Sequence, residues 1–308
     1  MNSHRRNTRR PSPKETAMMP VRRDVHPHLT PERISDWHER GRHITHFINA
    51  LSIFFPAGER FFMDSVRNYR DQVKDPELSR AIAGFIGQEA MHTREHILYN
   101  RLMEDAGLPA AALDRTVWKL LDLLRKILPK SWQLAHTIAL EHYTAMLAGG
   151  LLQDPRHMGA ASETGYRQVW TWHALEETEH KAVAYDVWNT VMKPGPYRYF
   201  LRTFTMLTTT VTFWAMVFVF HIALVMGDKG CRNKLTGFGG VLRFLWASPA
   251  VLPKMIPEWL SYFRPGFHPW DDDNRAELAR IAPLVEEIED TARAAGVSTR
   301  APSLRGAA

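Results

Sequence analysis

Apolar residues recur along most of this chain at the three- and four-residue spacing of amphipathic helices, and sustained alternation of apolar and polar residues is absent. Asp75-Pro76-Glu77 combines a capping side chain, a proline and an acid, which is typical of a helix start. Gly107 and Pro109 mark the end of that helix. The pattern therefore predicts an all-α fold whose long helices cover residues 43–69 (with a bend at 56–58), 75–106, 132–152 and 162–192.

The composition changes after Pro196. Residues 203–226 contain no Asp, Glu, Lys or Arg and could cross the ~30 Å hydrocarbon core of a bilayer as a helix. The alternative is a buried helix that covers the bundle, which the threonines at the start of this segment favour. The predicted organisation is a disordered basic tail (1–29), a helical bundle (30–195), an apolar helical extension (196–265, with 203–226 as a membrane segment) and a C-terminal helix and tail (266–308).

Charge and cysteine content exclude several classes of function. The net charge is +6, and the basic residues of the first 23 positions account for it, so no nucleic-acid partner is expected. Cys231 is the only cysteine, which rules out an intramolecular disulfide and a thiolate metal cluster. The head of the chain has no apolar signal region. We therefore expect a cytoplasmic protein, with attachment to the inner face of the membrane through residues 203–226 as the alternative.

Four positions along the chain carry the elements of a di-metal site. Two Glu-x-x-His elements occur at 89–92 and 177–180, and this spacing puts both side chains of each pair on one helix face. Ferritin-like carboxylate bundles combine two such elements with one glutamate from each of two further helices. Glu59 and Glu141 fit that role, because each stands in apolar surroundings where an unpaired charge would be costly. The long interval between the second and third elements predicts a crossover between two helical hairpins.

His173 lies one helical turn before Glu177 and adds a third imidazole, although stacking among neighbouring tryptophans is an alternative role for it. His96, Glu176 and Glu179 are expected to be supporting or solvated groups. The predicted metal ligands, of which the four glutamates are also the predicted catalytic groups, are Glu59, Glu89, His92, Glu141, His173, Glu177 and His180.

This hard oxygen and nitrogen ligand set could neutralise most of the charge of two divalent ions, with iron favoured and manganese or zinc as alternatives. With two irons it predicts an O2-activating oxidoreductase that acts on a small apolar or amphipathic substrate. One alternative is a metal-dependent hydrolase that uses a metal-bound hydroxide. Another is a non-catalytic metal-binding protein at the membrane. A homodimer through the apolar extension is a further expectation.

Four short segments carry a resemblance to a known family. They are FFPAGERFF (54–62), QEAMH (88–92), ALEH (139–142) and WHALEETEH (172–180). Together they resemble a bacterial family of predicted metal-dependent hydrolases over about residues 42–199, which implies a ferritin-like bundle and hydrolysis. The seven predicted ligand positions are also similar to those of the aminoarene N-oxygenases, di-iron enzymes with three histidines, and this similarity implies oxygenation.

Overall fold

The computed structural model describes residues 18–296, and every regular element in that range is helical. The predicted all-α fold is thus confirmed. Short 3-10 helices occupy several connections. The α-helices are α1 (Arg42–Arg67), α2 (Pro76–Asp105), α3 (Ala110–Ile127), α4 (Lys130–Gln153), α5 (Thr164–His180), α6 (Val183–Val191), α7 (Pro196–Gly227), α8 (Phe238–Trp246), α9 (Val251–Ser261) and α10 (Ile281–Ala294).

The core of the protein lies between α1, α2, α4 and α5. Helix α1 packs along α2, and α4 packs along α5, so the chain forms two helical hairpins. The predicted crossover between them contains a helix of its own: α3 joins the hairpins and packs against α1 and α2. Its buried residues Val117 and Leu121 are one turn apart and face the bundle.

Helix α1 runs through Pro56 without ending, and a side chain from α2 makes this possible. Proline has no N–H to give to the carbonyl of Ser52, four residues earlier. Asn100 Nδ2 donates to that carbonyl instead, at 3.2 Å. The contact places Ser52 and Asn100 beside each other in the interior, close to the polar centre of the bundle.

The last bundle helix is interrupted where the sequence predicts one helix over 162–192. Helix α5 ends at His180, and α6 begins at Val183 after a turn at Lys181–Ala182. The Lys181 side chain is buried at this turn, where its Nζ donates to Asp272 O at 2.6 Å and to Asn274 Oδ1 at 2.7 Å. The interruption thus ties the end of α5 to the C-terminal part of the chain.

Residues 18–29 have no regular secondary structure, but they lie in contact with the bundle. Val25 is 2 % exposed, and Gln88 Nε2 donates to Val21 O at 3.1 Å. The prediction of a disordered tail is therefore wrong for residues 18–29, and residues 1–17 lie outside the described part of the chain. Composition suggested disorder because the stretch is polar, but its partners are polar groups of α2 and α5.

Glycines on the bundle make room for this N-terminal segment. A Cβ atom built at Gly84 would lie 2.2 Å from Pro20 O, and one at Gly165 would lie 1.8 Å from His28 O. Both distances are far below van der Waals contact. The segment can therefore reach its place only because these helix positions have no side chain.

Helix α7 contains the predicted apolar segment 203–226 and is the one helix of residues 18–296 that is long and apolar enough to cross a membrane. This finding rests only on the length and the composition of the helix. One side of α7 packs along α1 and α4, with Thr205 Oγ1 bonded to Ala135 O at 3.2 Å. The other side is exposed and apolar along much of its length. Its exposed residues include Phe200, Phe204, Leu207, Val211, Val219, Ile222 and Met226.

The glycine contacts generate a stability prediction. Replacing Gly84 by alanine should lower the free energy of unfolding by about 1–3 kcal/mol, because the added methyl group displaces Pro20. Helix propensity alone predicts a gain of about 1 kcal/mol. The control is Gly240→Ala in α8, where nothing lies within 4 Å of the new Cβ. Urea unfolding followed by circular dichroism, with tryptic cleavage after Arg22 or Arg23, measures both effects. Equal stability and equal protease resistance of the two variants would contradict the packing of the segment.

Candidate metal centre

Acidic and imidazole side chains from four helices meet in the middle of the bundle. Each of these residues is at most 3 % exposed. Their ligand atoms form overlapping groups of three whose members lie within 4.8 Å of one another. The cluster contains all seven predicted ligands together with His96. It consists of Glu59 from α1; Glu89, His92 and His96 from α2; Glu141 from α4; and His173, Glu177 and His180 from α5.

The cluster has two adjacent halves that share carboxylates. One group of three is Glu59, Glu89 and His92, and another is Glu89, Glu141 and His180, so Glu89 belongs to both. Glu177 also faces both halves. Its Oε1 lies 2.9 Å from His173 Nε2, and its Oε2 lies 3.4 Å from His180 Nε2.

Many ligand atoms of the cluster are buried without a hydrogen-bond partner. His180 Nε2 lies 3.0 Å from Glu89 Oε1, which is an ion-pair distance, but the geometry is not that of a hydrogen bond. An unsatisfied buried carboxylate oxygen is costly, and a bound cation would remove that cost. The residues therefore fit a metal centre. The unpartnered atoms are Glu59 Oε1, Glu89 Oε1 and Oε2, His92 Nδ1, Glu141 Oε1 and Oε2, Glu177 Oε2 and His180 Nε2.

The shifts in pKa follow from burial and mutual repulsion. Burial raises the pKa of Glu59 and of Glu141 well above the usual range, and the charge of Glu89 raises both further. Burial opposes ionisation of Glu177 as well, but His180 and His173 outweigh it and lower the pKa of Glu177. Positive charge thus decides which carboxylates ionise, and bound cations would favour the ionised form of all of them.

A chain of hydrogen bonds places a proton on His173 Nδ1. Because Asn100 Nδ2 donates to Ser52 O, its Oδ1 accepts from the Ser52 hydroxyl, at 2.8 Å. The hydroxyl has then given its proton and must accept one from His96 Nδ1, at 2.8 Å. His96 Nε2 is left with a lone pair, which accepts from His173 Nδ1 at 2.8 Å. Burial and His173 also lower the pKa of His96, in agreement with a neutral ring.

The consequence is that the other ring nitrogen, His173 Nε2, points into the cluster. It lies 2.9 Å from Glu177 Oε1, and a proton or a cation must lie between these two atoms, because lone pairs on both would repel each other. The His173 ring also stacks on that of His92, with 4.1 Å between the ring centroids, and the Phe55 ring lies tilted against it at 4.3 Å. Stacking and metal binding are therefore compatible for this residue.

Behind the cluster, the outer nitrogens of two histidines are held by side chains that meet at one arginine. His92 Nε2 lies 3.1 Å from Glu176 Oε2, and His180 Nδ1 lies 2.9 Å from Gln88 Oε1. Gln88 Nε2 donates to Glu179 Oε2. Arg23 donates to Glu176 at 3.0 Å and to Glu179 at 2.8 Å.

Glu176 and Glu179 are both buried, and they contact His92 and Gln88, so neither is solvated. Burial raises the pKa of Glu176 to about 7, and Arg23 opposes that rise. Arg23 itself was missed, because nothing in a basic, polar head distinguishes one arginine from the next. Gln88 was missed as well, although it directly precedes Glu89 in the quoted QEAMH segment.

The comparison with known proteins decides against O2 activation. The sequence model of a family described as "Predicted metal-dependent hydrolase" matches residues 21–273. No curated protein and no solved structure matches the chain. The predicted oxidoreductase function, with O2 as co-substrate, is overturned by this description, which agrees with the hydrolase alternative. The similarity to the N-oxygenases is not supported.

The ligand set alone does not distinguish an O2-activating enzyme from a hydrolase, because carboxylates and imidazoles bind redox-active and redox-inactive divalent metals alike. The family match extends beyond the bundle on both sides, from the N-terminal segment that carries Arg23 to the connection after α9. It covers most of the chain, and this protein therefore belongs to the family of predicted metal-dependent hydrolases.

Proposed function

We propose that this protein hydrolyses a small-molecule substrate at a pair of divalent metal ions bound in the centre of the bundle. The observation that carries the proposal is the convergence of buried, unpartnered ligand atoms from four helices. Four carboxylates balance the charge of two divalent ions, which removes the cost of burying either set alone. One ion would be held by Glu59, His92 and His173, the other by Glu141 and His180, with Glu89 and Glu177 shared.

Bound ions of this kind polarise the substrate oxygen and lower the pKa of water. The protein's own residues hold and enclose the reacting groups. His96 and Ser52 keep the His173 ring in one orientation, and Phe55 covers its face. His173 and Glu177 also line an apolar cavity beside the cluster, so a substrate in that cavity reaches the centre at these two residues.

Metal content and hydrolysis test this proposal together. After loading with Zn2+, Mn2+ or anaerobic Fe2+, elemental analysis should give about two ions per chain. Glu141→Gln should reduce that number towards one, because this variant removes a ligand of one position only. The matched control is Glu104→Gln on α2, whose side chain is exposed. Loaded protein should cleave activated esters, and chelation should abolish the cleavage. A metal content near zero after reconstitution, or hydrolysis that survives chelation, would refute the proposal.

Arg23 provides a second prediction. Arg23→Gln should weaken metal binding by about 10–100-fold, because Glu176 and Glu179 would no longer be held and the histidines would lose their orientation. Arg23→Lys should restore little, since a lysine cannot reach both carboxylates with the planar fork of arginine. A chelator competition titration measures the affinity. Arg22→Gln, at the exposed neighbouring position, is the control. Equal affinities of both glutamine variants would show that the N-terminal segment does not support the centre.

The exposed side of α7 supports a proposal on location, in which the protein lies on the surface of a membrane. Its other side packs against α1 and α4, so lipid could not surround this helix along its length. Arg198 near its start, and Lys229 and Arg232 just beyond its end, would meet anionic headgroups. The protein would then be cytoplasmic with one apolar face in the interfacial region.

Vesicle binding tests this location. Val211 is 72 % exposed. Val211→Glu should reduce co-sedimentation with phosphatidylglycerol-containing vesicles about tenfold, because it replaces an apolar side chain that the membrane would bury by a charged one. Ile127→Glu is the control, since Ile127 is similarly exposed (61 %) but lies at the end of α3. No vesicle binding by the unmodified protein would exclude the surface location. A dimer in sedimentation analysis that Val211→Glu dissociates would show that the face binds a second copy instead.

A further inference from the structure

An apolar cavity of about 90 Å³ reaches the metal centre at His173 and Glu177. Most of its wall is hydrocarbon and aromatic, including Phe55, Met146 and Trp170. Lys254 also borders it, but its ammonium is already paired with Asp154 Oδ2 at 2.6 Å. Among the described residues that line this cavity, no Lys or Arg side chain is therefore left unpaired to bind an anionic substrate.

A larger cavity, of about 230 Å³, lies next to the first. Residues of α1, α3, α4 and α7 line it. The two cavities share four wall residues from α1 and α4, which are Leu51, Phe55, Thr144 and Leu147. Its wall also contains Gly58 and Leu140, the direct neighbours of Glu59 and Glu141. Among its described lining residues there is none of the metal centre, so a substrate chain in the second cavity would reach the centre by way of the first.

The second cavity is uncharged. Among the described residues that line it there is no Asp, Glu, Lys or Arg. His136 is its one imidazole, and burial lowers the pKa of His136 to about 4, so the ring is neutral at pH 7. Several of its polar groups already have partners, as in the bond from Tyr143 to Thr210 at 2.6 Å and the contact of His136 with Thr209 at 3.3 Å. Such a wall favours a hydrocarbon chain and disfavours polar or ionic groups.

We propose that the substrate is a neutral carboxylic ester with a long acyl chain, whose carbonyl lies at His173 and Glu177 and whose chain extends through the first cavity into the second. This inference rests on the proposed hydrolase function. In the reaction, water adds to the acyl carbon and the ester C–O bond breaks. The alcohol leaves with one proton of the water, and the fatty acid is released as carboxylate and a proton. A phosphate ester fits less well, because its charges would be buried along an apolar wall.

Helix α3 provides the site for a test, because it lines the second cavity and carries no residue of the metal centre. Leu120 faces the cavity, and Leu120→Trp would fill part of it. Leu123 on the same helix is 51 % exposed and does not line either cavity, so Leu123→Trp is the matched control. Thr212→Phe fills the cavity from α7 and replaces Leu120→Trp if that variant does not fold.

The experiment compares kcat/KM of the metal-loaded full-length protein for 4-nitrophenyl acetate, octanoate and dodecanoate. We expect dodecanoate to exceed acetate by at least tenfold. The ratio of dodecanoate to acetate should fall at least tenfold in Leu120→Trp and stay unchanged in Leu123→Trp. In parallel, calorimetry should show that dodecanoic acid binds the unmodified protein and binds Leu120→Trp at least tenfold more weakly.

The outcomes separate this inference from the hydrolase proposal. If the ester ratio and the binding of dodecanoic acid are the same in Leu120→Trp as in the unmodified protein, the acyl-chain site is refuted, whether or not esters are cleaved. If no ester is cleaved with any metal, but dodecanoic acid binds and the Leu120→Trp variant weakens it, the hydrolase proposal fails and the chain-binding site stands. Cleavage of acetate with no preference for longer chains and no binding of dodecanoic acid overturns the inference alone.

Discussion

The burial of four carboxylates at one point is the constraint on which the rest of this structure depends. Glu59, Glu89, Glu141 and Glu177 lie out of contact with water, and much of their hydrogen-bonding capacity is unused. Such an arrangement is unfavourable unless positive charge enters it. The four helices that carry these residues are therefore held together by their apolar packing and, once metal is bound, by the attraction between the ions and the carboxylates. Binding of metal to these carboxylates would therefore also stabilise the fold.

The surroundings of the cluster limit its freedom. On one side, the contact of Asn100 with Ser52 compensates for Pro56 and sets the direction of the hydrogen bonds that end at His173. Arg23 pairs with two buried carboxylates, of which Glu176 contacts His92, and Glu179 accepts from Gln88, which contacts His180. Each set of contacts joins a backbone feature to a ligand orientation. These contacts hold the ligand side chains in place, which lowers the conformational cost of binding a metal.

Polar and apolar regions are separated sharply in the interior. Four buried carboxylates are concentrated in the cluster, and the two adjoining cavities beside it are apolar. A hydrolase needs polar groups only at the ester carbonyl, whereas affinity and selectivity can come from apolar contacts with the acyl chain of the substrate. The exposed apolar side of α7 lies next to the second cavity, because α7 forms part of its wall.

The sequence by itself determined the four helices that carry the cluster, their order and seven of the clustered residues. Those signals are local: caps, prolines and the spacing of Glu-x-x-His depend only on the geometry of one helix. It could not place Arg23, which meets Glu176 across 153 positions, nor the role of Asn100 beneath Pro56. Nor could it show that α7 is covered on one side only, or that two cavities meet at Phe55. These features arise where helices pack against one another, and only the tertiary structure decides which distant side chains face each other.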